Sequence, residues 1–204
     1  MSLRPMARHE GLGHLMRTWV RRLISLGVLF PMALVNSLLS PFLACLFVLL
    51  DAVTDRRLPL TRAYLLVSFY LIWEAIGVLA AFVVWLCLGP WSGGNHQHFL
   101  EWNYALQRIW THGFTRVGIA LFSLRVTVEG DYKFGEKPFI LLVRHTSLAD
   151  TILVSWFLLV RHRVRARYAM KKELLWDPCL DIVGNRLPNY FIDRNSRNIM
   201  NQVK

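Results

Sequence analysis

The sequence is short of acidic residues, of cysteine and of charged residues as a whole. Only 18% of its 204 residues are charged and 54% are hydrophobic, whereas a typical globular chain is about a quarter charged. Thirteen acidic residues face 24 Lys and Arg, and the resulting net charge of +11 excludes disorder caused by excess acidity. Three scattered cysteines are too few for a disulfide framework or a zinc site. The classes that remain are a membrane protein and a soluble protein with membrane-embedded parts.

Two long apolar runs fill much of the first half of the chain. Residues 23–50 contain no charged side chain, and residues 63–88 are interrupted only by Glu74. As a helix, each run is long enough to cross the roughly 30 Å hydrocarbon core of a bilayer. Pro31 and Pro41 are expected to interrupt the first run, because proline lacks an N–H and clashes with the preceding turn. A kinked span and two half-helices that re-enter the same leaflet both fit this pattern.

The short polar loop between the two runs, residues 51–62, predicts a membrane hairpin. Five arginines precede the first run and three lie in this loop. Because Lys and Arg near span ends favour the cytoplasmic side, we expect both ends of the hairpin and the basic second half of the chain to face the cytoplasm. The protein is then expected to be an integral protein of a bacterial inner membrane or an equivalent internal membrane.

Glu74 is the single charged residue of the second run. A charge in hydrocarbon is costly, which makes a functional role one explanation of this residue. The simpler explanation is that the carboxyl is protonated, or that it bonds to Asn36 or Ser37 of the other run.

The second half of the chain changes from helical to mixed patterns. Residues 96–123 have helical periodicity and are expected to form an amphipathic linker helix. After this helix, strand-like segments at 125–129, 138–143, 163–170 and 190–192 alternate with helix-like segments at 151–160 and 172–183, which predicts an α/β domain. The predicted organisation is a basic segment at 1–22, a membrane hairpin at 23–95, a linker helix at 96–123 and an α/β domain at 124–204.

His145 and Asp150 lie five residues apart, where the predicted strand 138–143 passes into a helix. With His145 in the turn before the helix and Asp150 in its first turn, the carboxylate can reach the imidazole. An Asp in this place fixes the tautomer of the ring and leaves its other nitrogen free to take a proton from a hydroxyl. The structural alternative is a capping box, in which Ser147 and Asp150 satisfy free N–H groups at the start of the helix.

Three elements in order resemble the glycerolipid acyltransferase family, whose best-known members are the lysophosphatidic acid acyltransferases. The elements are a His-x4-Asp motif at 145–150, a Lys-x-Glu-Leu segment at 171–174 and an unaltered Phe-Ile-Asp-Arg motif at 191–194. The residue before the motif histidine is Arg144, where the family commonly has Asn. The later Glu-Gly-Thr-Arg motif of the family does not occur before Lys204, so we expect the domain to be incomplete.

The resemblance implies a mixed sheet flanked by helices and a membrane-bound O-acyltransferase. The reaction is transfer of a fatty acyl group from acyl-CoA or acyl-carrier protein to the hydroxyl of a lysophospholipid, such as lysophosphatidic acid, in phospholipid biosynthesis. His145 is the expected general base and Asp150 orients it, with no metal and no cofactor besides the acyl donor. Arg194 is the expected phosphate ligand, because a guanidinium binds phosphate through two parallel hydrogen bonds. The other residues expected to bind substrate are Lys171, Lys172, Arg144, Phe191 and Asp193.

A non-catalytic alternative is a membrane protein that binds anionic lipids through its basic C-terminal half. From Arg161 onward, ten Lys and Arg stand against four acidic residues. A juxtamembrane basic patch at residues 161–167 explains part of this excess as well as a substrate site does. Nucleic acid is not an expected partner, because two bilayer-length apolar runs do not suit such a protein. His145→Ala distinguishes the hypotheses, since a binding module tolerates this change and the enzyme does not.

Overall fold

The computed structural model describes residues 12–54, 57–89, 96–130, 134, 139–143 and 147–193. Three long helices dominate these residues, and two short helices and two short strands follow them. The long helices are α1 (Leu12–Thr54), α2 (Pro59–Leu88) and α3 (His96–Phe122). The later elements are α4 (Leu148–Trp156), β1 (Ala169–Lys171), α5 (Pro178–Arg186) and β2 (Tyr190–Ile192).

Helices α1 and α2 form the predicted pair of apolar helices and pack side by side in opposite directions. Both are long and apolar enough to cross a membrane, judged by length and composition. Asp51 of α1 is fully buried at the end of the pair where the loop connects the two helices. Its carboxylate accepts hydrogen bonds from the Thr61 N–H and the Thr61 hydroxyl, both at 2.7 Å, and from the Leu60 N–H at 3.2 Å. The end of α1 therefore caps the free N–H groups at the start of α2.

The prediction that Pro31 and Pro41 interrupt the first run is wrong. Both prolines lie inside α1, which continues from Leu12 to Thr54. A proline removes one backbone hydrogen bond of a helix, and this 43-residue helix continues past both positions. In apolar surroundings the rest of the backbone has no better partner than the helix itself, which favours continuation through the proline.

The outer face of the hairpin carries large apolar side chains that are mostly exposed. Leu34, Leu38 and Phe42 of α1 are 63%, 66% and 75% exposed. Monomeric soluble proteins rarely expose a continuous apolar surface of this kind. The described surface of the hairpin therefore matches a lipid environment better than water.

The predicted α/β architecture is confirmed only in part. The residues that the structure describes are mostly helical, and their sheet has two strands, β1 and β2, which pair in parallel. Segments 125–129 and 139–143 form no strand there, and of segment 163–170 only the last two residues enter β1. Ile140 and Leu142 are 88% and 89% exposed. An apolar run becomes a buried strand only when another backbone pairs with it, and the run itself does not encode that partner.

The single helix predicted over 172–183 is also wrong, because the segment is divided in two. A 3-10 turn over Lys172–Trp176 ends before Asp177, and α5 begins at Pro178. Proline fits the first position of a helix, where its missing N–H has no partner to lose. Helix α5 then packs against the hairpin, and the core lies in this junction. Its buried apolar residues are Leu29, Val78 and Cys179 in one cluster and Ala81, Val183 and Leu187 in a second.

Candidate functional site

Asp150 lies in the first turn of α4 and forms a capping box with Ser147. The Ser147 N–H donates to Asp150 Oδ2 at 2.7 Å. This is the structural alternative derived from the sequence, and it fixes the Asp150 carboxylate at the positive end of the helix. A carboxylate has about four acceptor positions, so capping leaves capacity for an imidazole N–H. His145 and Arg144 lie outside the described residues, and the contact between His145 and Asp150 stays a prediction.

Four of the predicted substrate residues come together where the two parallel strands end. In the register of β1 and β2, Met170 stands opposite Phe191, and Lys171 stands opposite Ile192. The ammonium of Lys172 lies 3.4 Å from Asp193 Oδ2, and both side chains are partly exposed. The segment 171–174 and residues 191–193 of the second motif, which are 17 residues apart in the sequence, therefore meet at the carboxyl ends of neighbouring strands. Arg194 lies outside the described residues.

Strand β2 is joined to β1 and to α5 through the side chain of Asn189. Its Oδ1 accepts from the Tyr168 N–H at 3.0 Å, and its Nδ2 donates to the Gly184 carbonyl at 3.1 Å. Phe191 packs directly on α5, because a Cβ added to Gly184 would lie 3.2 Å from its ring. The position of the Phe-Ile-Asp-Arg motif is therefore tied to the position of α5.

The partner predicted for Glu74 is wrong. Asn36 instead accepts from Ser68 at 3.1 Å, and the Ser37 hydroxyl bonds to the carbonyl of its own helix at Ala33. Glu74 is fully buried, and its Oε2 accepts the N–H of Cys179 at 3.2 Å. The free N–H groups at the start of α5 attract a carboxylate. The sequence signal for this site is Asp177-Pro178, which marks the start of a helix, but it does not reveal which distant acid binds there.

The start of α5 is further held by Asp177, which caps the helix and contacts α2. Its Oδ1 accepts from the Leu180 N–H at 2.8 Å, and its Oδ2 accepts from the Tyr70 hydroxyl at 2.6 Å. Burial raises the pKa of Asp177 above its ordinary value. Desolvation on burial also raises the pKa of the Cys179 thiol, and the nearby carboxylates raise it further. Cys179 is thus held as a neutral thiol, which does not suit it as a nucleophile.

Two further contacts made by charged side chains connect α5 to the hairpin, and sequence reasoning missed both. Arg21 and Arg22 of α1 bind the fully buried Asp181. Arg186, at the end of α5, donates to the Ala81 carbonyl at 2.8 Å and contacts Asn103 Oδ1 at 3.3 Å. Burial, together with the nearby charge of Arg22, lowers the pKa of Arg186 to about 10. Its guanidinium therefore keeps its charge at neutral pH.

An apolar groove opens between α2, α3 and α5, beside these polar contacts. Its walls include Trp73 and Gly77 of α2, Trp110 of α3, and Val183 and Gly184 of α5. Within the described ranges, no three His, Cys, Asp or Glu side chains converge to hold a metal ion. The expectation of a metal-free reaction stays a prediction.

The comparisons with known proteins bear on the C-terminal part of the chain. Residues 125–204 match the family model described as Acyltransferase. No curated protein and no solved structure matches the chain. The matched region contains all three motifs on which the resemblance rests, and it supports a general acyltransferase function. The predicted resemblance is confirmed: residues 125–204 are similar to the acyltransferase family, the family of glycerolipid acyltransferases such as lysophosphatidic acid acyltransferases.

Proposed function

We propose that this protein is a membrane acyltransferase that moves a fatty acyl group from acyl-CoA or acyl-carrier protein to the hydroxyl of a lysophospholipid. Lysophosphatidic acid, which would become phosphatidic acid, is the proposed acceptor. The observation that carries the proposal is the acyltransferase match over residues 125–204. The His-x4-Asp spacing at 145–150 supports the assignment of the chemical roles within it.

The chemistry assigned to the motif is one proton transfer coupled to attack on a thioester. His145 takes the proton of the lysophospholipid hydroxyl while the oxygen forms a bond to the thioester carbonyl carbon. The tetrahedral intermediate then breaks its C–S bond, and the departing thiolate receives the proton from His145. Asp150 holds the ring and offsets the charge of the imidazolium, as the acid of a catalytic triad does. A thioester is already activated, so the reaction needs no covalent enzyme intermediate.

The acceptor phosphate is assigned to the carboxyl ends of β1 and β2. Arg194 supplies a guanidinium for a bidentate contact, and Lys171 and Lys172 supply positive charge beside it. The pair between Lys172 and Asp193 is 3.4 Å long and partly exposed. Such a pair is weak, so a phosphate can replace the carboxylate at low cost. Phe191 provides the apolar side of the same site, and Arg144 is assigned to it by resemblance.

Membrane lipid is the proposed surroundings of the hairpin, with the acyltransferase part facing the cytoplasm. The exposed apolar face of α1 and α2 supports insertion, and the excess of arginine before α1 supports the orientation. The orientation is tested with Arg167→Cys, an exposed position, in a chain whose Cys45 and Cys87 are replaced by Ala. A membrane-impermeant maleimide should label this cysteine in inverted vesicles and not in intact cells. Labelling in intact cells would contradict the orientation.

The enzyme proposal is tested by an acyl-transfer assay on membranes that carry the chain, over a panel of lysolipids with acyl-CoA and acyl-carrier protein as donors. His145→Ala should lower turnover by roughly 10²–10⁴-fold, the usual contribution of a general base. His112→Ala is the matched control, because His112 is an exposed histidine of α3. Equal turnover of the two variants, or no transfer by the unmodified protein with any donor and acceptor, would overturn the proposal.

Lipid binding without catalysis is the second candidate, and one observation favours it. Four arginines of the segment 161–167 are exposed and alternate with half-buried residues along the chain: Arg161, Arg163, Arg165 and Arg167. An exposed basic row attracts anionic headgroups whether or not a reaction follows. If lipid binding were the whole function, His145→Ala would leave binding to anionic vesicles unchanged. Neither the unmodified protein nor the variant would then show measurable acyl transfer.

A further inference from the structure

Helix α5 is attached to the hairpin by polar contacts at its start, its middle and its end. At the start, the Cys179 N–H donates to Glu74. In the middle, Asp181 binds two arginines of α1, and at the end Arg186 donates to the Ala81 carbonyl. Apolar packing alone allows a nine-residue helix to rotate or slide with modest loss. Three directional contacts along its length fix both its rotation about its axis and its position along the hairpin.

Of these three contacts, the one in the middle of α5 involves the most charged side chains. Asp181 Oδ1 lies 2.8 Å from Arg21 Nη2, and Asp181 Oδ2 lies 3.2 Å from Arg22 Nε. Asn185 adds a third donor, at 2.8 Å from Asp181 Oδ1. The Asp181 side chain has no exposed surface, and the side chains of Arg21 and Arg22 are 17% and 24% exposed. A carboxylate in such surroundings is held by short charge-assisted hydrogen bonds, which restrict direction as well as distance.

This ion cluster is not explained by stability alone. The cost of removing charges from water often cancels their attraction, and apolar residues of similar volume stabilise a buried junction equally well. What an apolar replacement does not supply is a fixed geometry. The cluster joins residues 159 and 160 positions apart in the sequence, so its geometry sets how the acyltransferase part sits on the hairpin.

The position of α5 directly affects the position of the proposed acceptor site. The Gly184 carbonyl accepts from Asn189, and the Phe191 ring lies against Gly184. Only Leu187 and Pro188 separate the end of α5 from Asn189. A rotation of α5 is therefore expected to move Phe191 and Asp193, because the connection is short and both Asn189 and Phe191 contact Gly184.

We propose that Asp181 is a positioning residue for acyl transfer: by binding Arg21 and Arg22 it fixes α5, and through α5 it sets the place of Phe191 and Asp193 at the acceptor site. The hairpin is then a structural part of the acceptor site as well as a membrane anchor. This inference rests on the proposed function for its kinetic consequence. Its structural consequence, an ordered β2, does not.

The test compares three variants in the full chain and in native membranes or mild detergent. Asp181→Asn leaves two half-buried arginines without this counter-charge. The triple variant Arg21→Gln, Arg22→Gln, Asp181→Asn removes all three charges, so the penalty of unpaired charge disappears while the fixed geometry stays lost. Glu101→Gln is the matched control, because Glu101 forms an exposed pair with Arg165 at 3.5 Å.

Asp181→Asn should raise the KM for the lysolipid by roughly tenfold or more, since small displacements of a binding group are costly, and change the KM for the acyl donor much less. The triple variant should recover thermal stability and expression but keep the raised lysolipid KM. Glu101→Gln should match the unmodified protein. Recovery of the lysolipid KM together with stability in the triple variant would overturn the positioning role, because the cluster would then serve stability only.

Hydrogen exchange of the backbone amides of residues 189–192 gives a second readout that needs no turnover. Exchange should be faster in Asp181→Asn and in the triple variant, and unchanged in Glu101→Gln. Unchanged exchange in the triple variant would overturn the inference even if the enzyme is active. If the unmodified protein transfers no acyl group, the proposed function fails, and this exchange measurement still decides whether Asp181 orders β2.

Discussion

The backbone N–H of Cys179 donates to the buried carboxylate oxygen of Glu74 at 3.2 Å and so joins the start of α5 to the middle of α2. The bond connects an apolar helix of the hairpin to the segment that matches the acyltransferase family model. Glu74 satisfies a free N–H group that α5 cannot satisfy by itself, and it sits where the helix dipole favours negative charge. The charged residue of this apolar run is explained by its contact with a helix 105 residues later in the chain.

Removal of the Glu74 acceptor should destabilise the junction. Glu74→Ala removes the carboxylate that accepts from the buried Cys179 N–H, at an expected cost of about 1–3 kcal/mol in the free energy of unfolding. Glu74→Gln keeps an acceptor oxygen of the same size and should lose clearly less. Unfolding in detergent, followed by circular dichroism, measures both. Glu101→Ala on the surface of α3 is the control, and a loss as small as that of the control would contradict the role of Glu74.

The local parts of this fold were predictable, and the distant contacts were not. Composition and periodicity identify α1, α2 and α3, because helix formation in such runs depends on nearby residues. The strand Tyr190–Ile192 was predicted correctly, whereas the run at 138–143 forms no strand in its described part, 139–143. Pairing depends on another backbone, which the run itself does not specify.

In the candidate site, too, the local motifs were predictable and the distant contacts were not. The motifs at 171–174 and 191–194 were found from the sequence, and the structure brings their described residues together through the parallel pairing of β1 and β2. The attachment of α5 to the hairpin was not predictable, because Arg21 and Asp181 are 160 positions apart and each is ordinary in its own segment. Arginines before an apolar run were interpreted as topology signals, and only the fold shows that two of them bind a buried acid.

Two glycines of α3 should respond in opposite ways to alanine. A Cβ at Gly113 would lie 2.5 Å from the Trp73 ring, whereas nothing lies within 4 Å of a Cβ at Gly118. Gly113→Ala forces Trp73 away from its hydrogen bond to the Trp110 carbonyl, and overpacking of this kind costs about 1–3 kcal/mol. Gly118→Ala should be neutral or stabilising by up to about 1 kcal/mol, because alanine favours the helix. Equal midpoints of thermal unfolding for the two variants would contradict the close contact between α2 and α3.

The stability of the junction should depend on pH through Asp177. Because burial raises the pKa of Asp177, the folded protein binds this proton more tightly than the unfolded chain does. The stabilisation from this group is fully present below the ordinary pKa of 3.8 and is lost as the pH rises through the raised value of the folded state. Asp177→Asn removes the titration and keeps a good helix cap. The free energy of unfolding of the unmodified protein, measured against Asp177→Asn, should fall as the pH rises, with Tyr70 and Glu74 facing the same carboxyl. A constant difference would contradict this dependence.

A capping role and a catalytic role of Asp150, at the start of α4, lead to different predictions. Two substitutions separate these roles. Ser147→Ala removes a capping side chain and should cost about 1 kcal/mol of stability with little loss of turnover. Asp150→Asn keeps an oxygen that can accept from the Ser147 N–H but removes the charge that would orient and stabilise the His145 imidazolium. It should therefore lower turnover by roughly 10²–10⁴-fold at nearly unchanged stability, the range expected when a general base loses its function. If Asp150 is only a cap, Asp150→Asn will keep both its stability and its turnover, and Ser147→Ala will lose turnover only in proportion to the fraction unfolded. Paired measurements of thermal unfolding and acyl transfer on the same preparations decide between the two roles.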